Sequence, residues 1–190
     1  MDASDAREHL EMVERIIAAS SRKLNAGGEY FIIWGLTSAA ISLLLQLVSD
    51  GRLPGQTLWS IAAIYALAIG LSVWRGRYYS RAGCERLSAL DREFLNVLWI
   101  VLGMAFVADV LGFHLFPQWG QAAIWSVAGA VVLFFIGMHG NRRAIVGGII
   151  MIASIAVANF EIAYAGYALA GGMILGYAGF GLADLLARAD

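Results

Sequence analysis

Long stretches of this chain carry almost no charge, and that limits its folding choices more than any other feature. Between Ala144 and Ala183 the only charged residue is Glu161. At ~1.5 Å per residue, a single helix of that length would be about twice as long as the ~30 Å hydrocarbon core of a bilayer is thick. The run must therefore double back, and Asn159-Phe160-Glu161 is the polar place for a short hairpin. Four earlier runs have the length for one crossing each, roughly 20 apolar residues. The expected spans are 28–48, 57–74, 94–116, 121–139, 144–160 and 162–186. Loops rich in glycine, proline or charge separate them, at 49–55, 117–120 and 140–143.

Composition agrees. Of 190 residues, 60% are hydrophobic and 14% charged, with a mean hydropathy of +0.71. Soluble domains carry about 25% charged residues, so lipid is the solvent here. The fold expected is all-α and polytopic: a six-helix membrane domain over 26–190, preceded by a cytosolic amphipathic helix over 1–25. That leaves no room for a soluble catalytic domain. Cys84 is the only cysteine, so no intrachain disulfide can form. The acidic start lacks the basic-then-apolar order of a signal peptide.

Orientation follows from the distribution of Lys and Arg. Of the thirteen, twelve fall on one side of the six expected spans, and only Arg52 falls on the other. The positive-inside rule makes the populated side cytosolic, with both termini there. Trp59 and Trp119 then lie near the outer interface, and Trp34 and Trp74 toward the inner one, as in an aromatic belt.

Two cytosolic elements stand out. In the first, Leu10, Val13, Ile17 and Leu24, with Ile16 beside them, form one stripe at helical spacing. Asp5 and Glu8 suit a helix start, and Glu11–Arg15 is a favourable i,i+4 pair. Helices that lie on lipid are usually basic on their polar face. This one carries Asp2, Asp5, Glu8, Glu11 and Glu14 against Arg7 and Arg15, so an anionic leaflet would repel it. That favours a protein surface: a second copy, the chain's own arginine-rich loop, or a separate partner. A membrane-parallel lead-in helix without a partner is the plainer alternative. In the second element, residues 75–93, five arginines outnumber Glu85, Asp91 and Glu93. Topology-setting charge explains them, and a lipid-headgroup or helix-docking site is the sharper reading. Nucleic acid binding is not expected from so few arginines at a membrane.

Depth sorts the remaining polar residues, because a carboxylate at mid-bilayer costs about 2.5–3.5 kcal/mol. Glu29 and Asp184 fall near the cytosolic ends of their spans. Asp109 lies about two turns inside the outer end of span three. With Glu161, Asn159, Gln121 and Tyr164, and with Gln46, Ser60 and Ser126 at a similar level, it would line an outward-facing polar pocket. The alternative is that these groups bond to one another and hold helices together. Asp109→Asn separates the two, abolishing activity only if the carboxylate binds or relays an ion.

His114 and His139 lie at opposite ends of the bilayer and His9 precedes it, so no metal, haem or other cofactor is expected. No nucleophile-elbow, zinc-protease or phosphate-loop motif occurs, and no enzymatic activity is expected. Ala168, Gly172 and Gly176, spaced by four, form a small-residue face for a neighbouring span or for a second copy.

The sequence from Glu11-Met12-Val13-Glu14-Arg15-Ile16-Ile17, through Ser20-Ser21-Arg22, into Gly28-Glu29-Tyr30-Phe31-Ile32-Ile33-Trp34-Gly35 resembles a loose group of small multi-pass bacterial membrane proteins without assigned activity. The likeness covers roughly the first fifth of the chain. It implies a bacterial cytoplasmic (inner) membrane location and carries no functional residues over. The function expected is that of a regulatory or interaction subunit, with a protein partner or homo-oligomer engaged through the N-terminal helix. The alternative is a small transporter or channel built on the polar cluster around Asp109, for an ion or small molecule.

Overall fold

A computed structural model of the chain describes residues 27–81, 89–112 and 118–189. The expected N-terminal helix with Leu10, Val13, Ile17 and Leu24, and the loop holding Cys84, lie outside the described residues. What is described is helical throughout: α1 (Gly28–Ser49), α2 (Ser60–Arg81), α3 (Ala89–Gly112), α4 (Gln118–Met138), α5 (Arg142–Phe160) and a last continuous stretch, α6 (Ile162–Ala187). A short 3-10 turn, Gly55–Trp59, leads into α2. In lipid a backbone can bond only to itself, and helices with short connections achieve that.

Two of the turns are built by glycine. Gly51 adopts φ +70°, Gly51 N–H donates to Val48 C=O at 3.0 Å, and Arg52 N–H donates to Leu47 C=O at 2.9 Å. This crossed pair is a Schellman stop, which needs a left-handed residue just past the helix. Gly140, at φ +99°, repeats the arrangement after α4, through bonds to Gly137 and Ile136. The long uncharged run reverses at Glu161, where Tyr164 N–H donates to Glu161 C=O at 3.0 Å.

Five helical segments are long and apolar enough to cross a bilayer: Gly28–Ser49, Gly55–Tyr78, Trp119–Met138, Arg142–Phe160 and Ile162–Ala187. The chain is therefore an integral, polytopic membrane protein with an all-α bundle. The apolar part of α3 is shorter, Glu93–Ala108 among the described residues. Charges bracket it in sequence, with Asp91, Arg92 and Glu93 at one end and Asp109 at the other.

Contacts between helices order the bundle as α2–α1–α6–α5–α4–α3, and α4 also reaches α6. The core forms where α1, α4, α5 and α6 meet. It contains Phe31, Ala130, Leu133, Ile136, Met151, Ala170 and Phe180, and Phe94 of α3 joins it by stacking on Phe135. The outer two helices are differently placed. Ala68 is the one buried residue among the described side chains of α2. The exposed apolar side chains, among them Leu67, Trp99, Phe106, Val146 and Leu175, are those a lipid environment solvates.

Glycine explains how α6 fits between α1 and α5. A Cβ on Gly176 would lie 2.6 Å from the Gly147 carbonyl oxygen of α5, and the reverse distance is also 2.6 Å. A Cβ on Gly28 would lie 2.6 Å from the Gly181 carbonyl oxygen, and one on Gly35 2.7 Å from the Ala178 nitrogen. Backbones thus touch on both flanks of α6, an approach that any side chain at these positions would prevent. Gly176 and Ala178, one from each set of contacts, both fall within Met173–Ala178, which widens into π-helix. Such segments are rare and tend to occur where function or packing demands a local change of register.

Candidate functional site

The polar residues of the described chain gather at the two ends of the bundle. One end holds the start of α1, the end of α2, the α4–α5 turn and the end of α6; the other holds the α1–α2 and α5–α6 turns. We call them the arginine end and the glutamine end.

At the glutamine end the organising side chain is Gln46, 2% exposed on the last turn of α1. Its amide nitrogen donates to Asp50 Oδ1 at 2.7 Å and to the Ala163 carbonyl at 2.8 Å. Its amide oxygen accepts from Gly166 N–H at 2.8 Å. The i,i+4 spacing of Gln46 and Asp50 places them on one face of the helix. Tyr167 adds a third strand to the network, its hydroxyl donating to Asp50 Oδ2 at 3.1 Å. The first N–H groups of a helix have no partner within it. Gln46 and Asp50 thus tie the start of α6 to α1, and Gly166 leaves room for Gln46 and for Trp119 of α4.

The residues expected at this level are distributed around that network. Asn159, Glu161 and Tyr164 are exposed at the α5–α6 turn, with Tyr164 and Tyr167 rings 6.5 Å apart. Gln121 is half-buried near the start of α4, and Ser126 is buried and donates to Ala122 C=O of its own helix. Asp109 belongs to α3, which packs on α4; its side chain is not among those described. Asp50 is a member that sequence reasoning left out. The cue was the Gln46–Asp50 spacing, although nothing in one sequence assigns that pair to residues 163–167.

At the arginine end Glu29 and Arg75 form a two-pronged ion pair joining α1 to α2, through both Glu29 oxygens and Arg75 Nε and Nη2. Paired in this way, neither charge enters the bilayer alone. The Arg75 guanidinium also lies 5.1 Å from the centre of the Tyr78 ring. Asp184 of α6 is 8% exposed and accepts from Asn141 Nδ2 at 3.1 Å, and Arg143 Nη1 donates to Ala183 C=O at 2.8 Å. The α4–α5 turn is thereby fastened to α6, beside the Gly28–Gly181 contact at the start of α1. Of the predicted packing face, Gly172 lies against Ser154 and Gly176 against Gly147, both of α5; Ala168 is half-buried.

Among the described residues no group of three or more His, Cys, Asp or Glu is placed to hold a metal ion. Comparison with family models, with curated proteins and with solved structures gives no match.

Proposed function

We propose that this chain is a regulatory or interaction subunit of the bacterial cytoplasmic membrane, acting by binding rather than by chemistry. In this reading it crosses the membrane six times with both termini cytosolic, and its acidic N-terminal helix engages a protein partner. The observation that carries the proposal is the anchorage of the point where that segment enters the bundle. Gly28 is held backbone-to-backbone against Gly181, next to the Asp184–Asn141 bond and the Arg143 clasp on Ala183. A segment leaving that point projects from a fixed base made by three helices. The filled core supports the same reading, since Leu133 and Ile136 at its centre are fully buried. At the glutamine end Gln46, Asp50 and Tyr167 are engaged in holding α1 to α6, which favours the helix-joining role over a solute path.

The test is purification from native membranes in mild detergent, followed by intact-complex mass. The expected result is a second protein at fixed stoichiometry with the full chain, absent when residues 1–24 are deleted and retained with Asp109→Asn. A full-length chain that runs alone, or only with copies of itself, would overturn the proposal. Solute flux abolished by Asp109→Asn would install the transporter in its place.

A further inference from the structure

We infer that α2 carries a binding site for one anionic phospholipid at the arginine end of the α1–α2 pair. An open groove of about 300 Å³ runs between these helices, lined by Ile32 and Ile33 on one side and Leu71 and Trp74 on the other. The Glu29–Arg75 ion pair closes its end. The groove is apolar along its length and is flanked by a helix that, among the described residues, packs chiefly on α1, so an acyl chain has access from the bilayer.

What distinguishes the site from ordinary lipid-facing surface is the stripe continuing from it. Trp74, Arg77, Tyr78 and Arg81 follow at i, i+3, i+4 and i+7, positions that share one face of a helix. Trp74 is 65% and Tyr78 57% exposed, and Arg77 is exposed as well. Glu29 neutralises Arg75, so the net positive charge of the described stripe lies further along the helix, at Arg77. An indole at the boundary, a phenol hydroxyl and the Arg77 guanidinium suit a phosphate headgroup above a chain lying in the groove. One turn before Trp74, toward the middle of the bilayer, Gly70 leaves the helix surface open, since nothing lies within 4 Å of where its Cβ would be. A phosphate with a net negative charge is favoured over a zwitterionic headgroup, whose own ammonium would meet Arg77.

The experiment uses the full chain, stripped of lipid in detergent and offered equal amounts of phosphatidylglycerol and phosphatidylcholine with identical acyl chains. Native mass spectrometry then counts bound lipids. One phosphatidylglycerol per chain should be retained at least about fivefold over phosphatidylcholine, the factor one interfacial arginine contributes. Arg77→Gln should lower that preference about fivefold, while Arg142→Gln, exposed at the same end on α5, should leave it unchanged. Equal retention of the two lipids by the unaltered chain overturns the proposal, whatever the variants do. So does an equal loss with Arg77→Gln and Arg142→Gln, which would mark diffuse attraction to a basic surface.

Discussion

A methyl group added at Gly176 has nowhere to go, because its place is taken by the carbonyl oxygen of Gly147, a backbone atom that cannot rotate away. Gly176→Ala should therefore lower stability by about 1–3 kcal/mol, seen as a drop in Tm in detergent, as overpacking does elsewhere. Gly103→Ala on α3, where nothing lies within 4 Å, should leave Tm unchanged or slightly raised. Gln46 makes the opposite kind of demand: its removal leaves partners behind. Gln46→Leu strips the Gly166 N–H and the Ala163 carbonyl of their bonds at a buried position, a loss of about 1–3 kcal/mol. Faster hydrogen exchange at the Gly166 amide, with α4 unchanged, is the expected signature.

Each helix is secured differently, and that decides which will detach first. α6 is clasped on two sides by backbone contact, whereas α2, among the described residues, is held chiefly on α1, through Ala68, the Trp34–Tyr65 ring contact at 6.4 Å and the Glu29–Arg75 pair. Cysteines placed at positions 34 and 65, with Cys84→Ser, should cross-link in the resting protein. Glu29→Gln should lower the yield, and the swap of Glu29→Arg with Arg75→Glu should restore much of it. The existence of these helices was legible in the sequence, because charge-free runs and the turns at Gly51 and Gly140 are local properties. The reversal at Glu161 was legible for the same reason. Their neighbours were not. In water an apolar stripe points to the core, but in lipid every face is apolar and periodicity loses its direction. Only small residues kept a directional signal, as Gly172 and Gly176 illustrate. Gln46 was recognisable as polar, yet two of its partners are backbone atoms at the start of α6, more than a hundred residues away, which no local pattern encodes.

For the molecule as a whole, the proposed orientation makes a simple prediction through its single cysteine. A membrane-impermeant maleimide should label Cys84 only after the cells are permeabilised, while a cysteine replacing Arg52 in a Cys84→Ser background should react in intact cells. Labelling in the reverse order would invert the bundle, and labelling of both sites from one side would remove a span. The order of the helices has a further consequence, for how the protein is made. α6, the helix at the centre, leaves the ribosome after the other described helices. Until it arrives, α1 and α5 present bare glycine faces with nothing between them, and the Gln46 amide oxygen waits without the Gly166 N–H. The early helices must therefore linger in the membrane as two pieces, α1–α2 and α3–α4–α5, and the arrival of α6 closes them into one body. Messages cut short before codon 162 would yield a chain whose two groups of helices, α1–α2 and α3–α4–α5, have nothing to join them, a ready mark for the proteases that clear unfinished membrane proteins.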